Sequence, residues 1–162
     1  MPRRLGLVLV GVLLATVLSG CSPPPSNQVA VRVVDGAAEF VFAPCPGKRV
    51  HDVILAEENV VDRRIWHASG GPDAPMTTVR LFQIPDGWLP GNNTLTELRA
   101  DMTYEVTVYA SDGRRSDLRF ISLADIQALD EGQVLGPGKT ASRATVMSMA
   151  DFTSNAASSC DD

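Results

Sequence analysis

Few residues in this chain have the types and spacing that chemistry needs. The two histidines are His51 and His67, and Asp52 follows the first. A histidine beside a carboxylate is the base half of a serine-type triad. No G-x-S-x-G elbow is present to supply the nucleophile. His51 and His67 fall at the start and the end of strand-like segments, where an exposed polar side chain is the default. Glu57-Glu58 is a pair of carboxylates, the unit of acid–base work on glycans. Neighbours on a strand point to opposite faces, so these two do not converge on one bond. Gly138-Lys139-Thr140 has the tail of a phosphate-binding loop. That loop needs a glycine where position 133 is Gln, and Gly132 is one place off. Met147-x-Met149 is a soft pair of the kind that holds copper(I), but Met149 at helical spacing from Phe152 reads as core. Asn92-Asn93-Thr94 has the form of a glycosylation acceptor within a segment that reads as a turn. Trp88 and Leu89 sit between Pro85 and Pro90, outside any strand pattern. An exposed loop tryptophan is a partner-binding anchor; folded back, the same ring is a lid on the core.

The most specific pattern lies at the N-terminus. Arg3 and Arg4 precede the apolar and small residues Leu5 to Val17, and Leu18-Ser19-Gly20-Cys21 follows. A positive start, an apolar stretch and a small-residue site form a secretory signal over residues 1–20. The stretch is short for a spanning helix, which needs about 20 apolar residues. The LSGC string resembles the lipobox of bacterial lipoproteins. That resemblance implies cleavage before Cys21, a diacylglyceryl group on its sulfur, and a lipid bilayer as first partner. Two or more acyl chains hold a protein firmly, so the expected location is the extracytoplasmic face of a cell membrane.

With Cys21 assigned to lipid by that resemblance, Cys45 and Cys160 remain. An exported compartment allows a disulfide between them. The bridge would close a loop of roughly a hundred residues, worth about 4–5 kcal/mol in the chain-entropy model. Two free thiols are the alternative. Two histidines and two bonded cysteines do not make a zinc set, and neither a metal nor another cofactor is expected.

The formal charge of −5 becomes −7 once Arg3 and Arg4 are removed. A mildly acidic domain lacks the electrostatic footprint of a nucleic-acid binder. Lys48 and Lys139 are the only lysines among 14 basic residues, and 44% of the chain is apolar. The apolar share suits a globular domain with a core. The arginine bias matches a GC-rich genome, and the chain resembles the small lipoproteins of actinobacteria.

The elements are read from period-two patterns and turn signals. Ser22 to Asn27, with three prolines in a row, forms a short stiff tether over residues 21–27. Seven strands follow: from Gln28 through Val33, Ala38–Phe42, Arg49–Glu57, Arg63–Ala68, Thr77–Ile84, Thr103–Ala110 and Asp117–Ser122. Trp66 is expected in the core, and Asp35-Gly36 is a hairpin turn. Leu98 to Val108 resembles the tyrosine corner of fibronectin type III and related immunoglobulin-like domains, with Tyr104 as the corner residue. The expected fold is therefore all-β: a single immunoglobulin-like β-sandwich of about seven strands over residues 28–122. A C-terminal extension, 123–162, would pack on it and contain a short helix near Ser148–Ser158, with Met149, Phe152 and Ala156 as its apolar stripe. One helical turn capped by Ser122 and a short strand at Gly132–Leu135 are further expectations. The expected function is non-catalytic: a membrane-anchored module that binds an envelope protein or glycan, or organises the envelope. An enzyme acting on peptidoglycan or glycan is the alternative. A solute-binding receptor of two lobes needs a longer chain.

Overall fold

The structure is a computed structural model describing residues 28–70, 76–138 and 143–160. The expected signal, Cys21, the tether and Lys139-Thr140 lie outside the described residues.

Two five-stranded antiparallel sheets face each other. The first contains β1 (Val29–Val34), β2 (Ala37–Phe42), β5 (Thr78–Arg80), β9 (Gln133–Pro137) and β10 (Ala144–Ser148) in the order β10-β9-β1-β2-β5. The second contains β3 (Val50–Glu57), β4 (Ile65–Ser69), β6 (Leu89–Pro90), β7 (Thr103–Ala110) and β8 (Arg115–Ser122) in the order β6-β4-β3-β7-β8. Two short helices complete the chain: α1 (Leu123–Gln127) between β8 and β9, and α2 (Met149–Ser158) after β10.

Alternation makes the core. Val29, Val31, Phe40 and Phe42 point inward from the first sheet and meet Val53, Leu55, Trp66, Val106, Val108 and Leu118 of the second. Between β1 and β2, Val34 pairs with Ala37, leaving Asp35-Gly36 as a two-residue turn with φ of 52° and 75°. Positive φ at both positions is what lets a hairpin turn match the twist of its strands.

The first sheet is covered on its other face too. Ala30, Val41 and Val134 meet Phe152 of α2 in a second, smaller apolar cluster. Ser148 caps α2 by accepting the Asp151 N–H at 3.0 Å, and Phe152 and Ala156 are its buried residues. Ser122 caps α1, where Asp125 completes a reciprocal capping box.

Strand β5 is shorter than Thr77–Ile84. It ends at Arg80, and Phe82 takes a φ of 62°. An aromatic residue in that region leaves strand geometry. Leu81, Phe82 and Ile84 instead pack against the main core from a crossing segment. Strand β10 was not expected, and with β9 it supplies two of the five strands of the first sheet.

Candidate functional site

The histidines and Asp52 come together. His51 Nδ1 lies 2.7 Å from one Asp52 oxygen and His67 Nε2 lies 2.9 Å from the other. Adjacent strand residues normally diverge, and a bulge removes that obstacle here. Val50 pairs with Ala110 but Asp52 pairs with Tyr109, so His51 is the extra residue. Such an insertion re-aims the local side chains. Asp52 and His67 share a face through the β3–β4 register, in which Asp52 opposes Ser69 and Ile54 opposes His67.

His67 is held by the chain that follows β6. Its N–H donates to Asn93 Oδ1 at 2.6 Å, and its carbonyl accepts the Gly91 N–H at 2.9 Å. A Cβ at position 91 would collide with the imidazole, so glycine is what permits this close approach. Asn93 is thus a positioning contact for β4, and Thr94 Oγ1 accepts the Ile65 N–H in the same way. The cluster joins three segments on one face. Both imidazoles reach the same carboxylate, His67 Nε2 at 2.9 Å and His51 Nδ1 at 2.7 Å from Asp52. Among the described residues, no group of three His, Cys, Asp or Glu side chains has the arrangement to hold a metal ion.

Glu57 and Glu58 are buried and each meets a different partner. Glu57 accepts from the Arg64 side chain at 2.6 and 2.9 Å and from the Arg64 backbone N–H at 3.0 Å. The Arg64 guanidinium holds the Glu57 carboxyl below the usual carboxylate range, against the opposing effect of burial. Glu58 serves a second bulge. Tyr104 pairs with Ile121 but Val106 pairs with Leu118, so Arg119 and Phe120 together oppose Glu105. Phe120 has a φ of 57°. Its N–H donates to Glu58 Oε2 at 2.8 Å, and Arg119 Nε donates to Oε1 at 3.1 Å. A buried carboxylate here replaces the ladder partner that the bulge removes. The two glutamates therefore brace the fold on separate sides.

Cys45 and Cys160 form a disulfide with Cα atoms 5.5 Å apart. Gln28 Nε2 donates to Cys45 Sγ at 3.0 Å, and the Gln28 N–H donates to Ser116 Oγ at 2.9 Å. The chain thus enters the sandwich at a buried, hydrogen-bonded residue beside the bridge. Sequence periodicity gave no sign of the Gln28–Ser116 contact, because polar side chains carry no burial signal.

Trp88 and Leu89 separate. Trp88 is 5% exposed within the main core cluster, whereas Leu89 is 67% exposed. The expectation of a joint partner surface is corrected at Trp88: its ring is a lid on the core, because the crossing segment folds over the open side of the sandwich. Trp88 Nε1 has no hydrogen-bond partner among the described residues. Met147 and Met149 are partly buried against the second cluster, with Met147 Sδ 3.2 Å from where a Cβ on Gly136 would stand.

Tyr104 is fully buried and its hydroxyl accepts the Arg99 N–H at 2.6 Å. No protein-family model matches the chain, and no curated protein or solved structure matches it.

Proposed function

We propose that this chain is a membrane-anchored extracytoplasmic lipoprotein whose sandwich serves binding or envelope organisation rather than catalysis. The observation that carries the reading is the run from Arg3 to Cys21, a secretory signal ending in LSGC. The Cys45–Cys160 disulfide supports export independently, since such bonds persist in oxidising compartments. Acylated Cys21 fixes the chain to the lipid bilayer.

The sandwich is of immunoglobulin-like type in this reading. Its support is the strand order: β1, β2 and β5 are neighbours in one sheet, and β4, β3, β7 and β8 in the other. The Tyr104 hydroxyl reaching back to Arg99 is the corner contact of such domains. The non-catalytic reading rests on what the acidic groups do. Asp52, Glu57 and Glu58 are each engaged by protein partners.

The test is metabolic labelling with a palmitate analogue followed by detergent phase separation. The wild type should carry label and enter the detergent phase, and Cys21→Ser should lose both. A variant that keeps its label, its size and its membrane fraction overturns the lipoprotein reading.

A further inference from the structure

We infer that strand β10 is a self-association edge, to which a second copy of this chain adds its own β10 antiparallel about a two-fold axis. This goes beyond the lipoprotein reading and does not depend on it. An edge strand offers a row of unpaired N–H and C=O groups to another chain. The first sheet ends on β10 and β5, and the second on β6 and β8. Short strands, proline, charge and bulges are the devices that stop edge pairing, and β5, β6 and β8 use them. β5 is three residues long, carries exposed Arg80, and is followed by the left-handed Phe82. β6 is two residues long, and one of them is Pro90. β8 carries Arg115, Asp117 and Arg119, and its bulge turns the Phe120 N–H onto Glu58. β10 has none of these features. It reads Ala-Thr-Val-Met-Ser and keeps an unbroken register with β9 from Ala144 to Ser148.

The flanking hydrogen bonds fix which groups face outward. The Gly138 N–H donates to Arg143 O at 3.2 Å, and the Met149 N–H donates to Gly132 O at 3.3 Å. In an antiparallel ladder such bonds fall on alternate residues, so Thr145 and Met147 turn their N–H and C=O groups to β9. Ala144, Val146 and Ser148 turn theirs away, and no strand of the described residues pairs with them on that side. Val146 stands at the middle of this set with its side chain 47% exposed. Ser148 is the N-cap of α2, so its carbonyl serves the helix while its N–H stays on the edge.

This edge is its own complement. A two-fold axis beside Val146 sets it against Val146 of the second copy, each N–H donating to the other's carbonyl. The same axis sets each Ser148 N–H against the Ala144 carbonyl opposite. The two Val146 side chains then lie side by side on one face, as a cross-strand apolar pair. Charge fits the same register. Exposed Arg143 comes alongside the first turn of the second copy's α2, where exposed Asp151 stands. Both such contacts form together, because a two-fold interface uses the same patch on each copy. Symmetry also ends the assembly. The joined sheet terminates at either side on β5, which is blunted, so no third copy adds by this route.

The experiment uses the full chain, with cysteine placed at Val146, Thr145 or Leu89, each exposed. Wild type sets the background, since Cys45 and Cys160 are bonded to each other. Opposed residues of a hydrogen-bonded antiparallel pair have Cα atoms about 5.5 Å apart, within disulfide reach. Copper phenanthroline in whole-cell lysate should therefore convert V146C to a reducible dimer of the chain. T145C faces Met147 in this register and L89C sits on β6, so each should yield at least about tenfold less dimer. Sedimentation of the purified full chain in detergent supplies a second readout. V146K places two ammonium groups together and removes the valine pair, so it should raise the dimer dissociation constant about tenfold. An unchanged urea midpoint confirms that V146K is folded, and R143E, outside β10, should weaken the dimer as well. Equal cross-linking of all three cysteine variants would report collision alone and overturn the inference. A V146C adduct with a different protein would show another occupant and overturn it too. So would a wild type that sediments as a monomer at every accessible concentration, or a dimer that V146K and R143E leave unchanged.

Discussion

The Tyr104 hydroxyl accepts the Arg99 N–H at 2.6 Å beneath a ring with no exposed surface. Tyr104→Phe keeps the ring and deletes the acceptor. The loss should be about 1 kcal/mol, rising toward 3 if the Arg99 N–H is left unsatisfied. Urea titration checks this, and equal midpoints at equal slope would reject the corner role. Glu57 makes a different kind of contribution, because its value depends on charge. Its carboxyl titrates lower in the folded protein than in the unfolded chain, chiefly through the hydrogen bond from Arg64. The resulting stability is full above the ordinary carboxylate range and is lost as pH falls through the folded-state value. Glu57→Gln should therefore destabilise the fold near neutrality, where it removes the charge that the Arg64 guanidinium pairs with. The gap between variant and wild type should close on acidification. A gap of constant size from pH 7 to pH 3 would show that the charge contributes nothing. The His51–Asp52–His67 contact was not legible at this scale. The sequence places two histidines at strand ends, but only the His51 bulge and the β3–β4 register bring them to one carboxylate.

The segment from Leu81 to Leu95, whose only regular structure is the two-residue β6, shows how a largely irregular element can complete a core. It crosses from the edge of the first sheet to the edge of the second, and Trp88 and Leu95 are buried along it. Trp88→Ala should cost about 3–5 kcal/mol, the range for removing a buried aromatic. Leu89→Ala, one residue on, should stay within about 0.5 kcal/mol, as exposed positions do. Trp88→Phe should fall well short of the alanine cost, because it also removes the unpartnered Nε1 donor. Thermal or urea midpoints for the three variants give the ranking, and a Trp88→Ala midpoint equal to wild type would mean the ring does not close the core. This segment also marks where sequence reading stops. Strands β1, β2, β3 and β7 were legible because residues facing the main core alternate along each, although Ala30 and Val41 are buried on the opposite face of the first sheet. Leu81, Phe82 and Ile84 mimic that alternation, yet Phe82 turns the chain and ends β5 at Arg80. Strand β10 failed in the opposite sense. Its residues are mostly exposed, with Val146 at 47%, so pairing with β9 rather than burial holds it in place. The helix α2 was legible because Ser148 caps it and its buried Phe152 and Ala156 stand one turn apart.

At the scale of the molecule, the last strands and helix are woven into the sheet that the first strand begins. Leu135 of β9 pairs with Val31 of β1, and Phe152 covers Ala30 and Val41 from outside. The Cys45–Cys160 bond then ties the end of α2 to the loop after β2, across a sequence separation of 115. Both chain ends of the described fold meet there, since Gln28 contacts Cys45 as well. A crosslink over so long a loop acts chiefly on the unfolded chain, by removing conformations it would otherwise sample. The double variant Cys45→Ala, Cys160→Ala should therefore fold to the same two sheets but lose about 4–5 kcal/mol, less whatever the packing around Gln28 recovers. The slope of its urea transition should rise, because an unbridged unfolded chain exposes more surface. Its transition should stay single, because β9 is hydrogen-bonded into the first sheet and cannot leave without exposing Val31 and Leu135 to water. Loss of α2 alone, seen as early proteolysis after Ser148 or as a separate low-denaturant step, would show instead that the bond serves as a local clamp on the C-terminal helix.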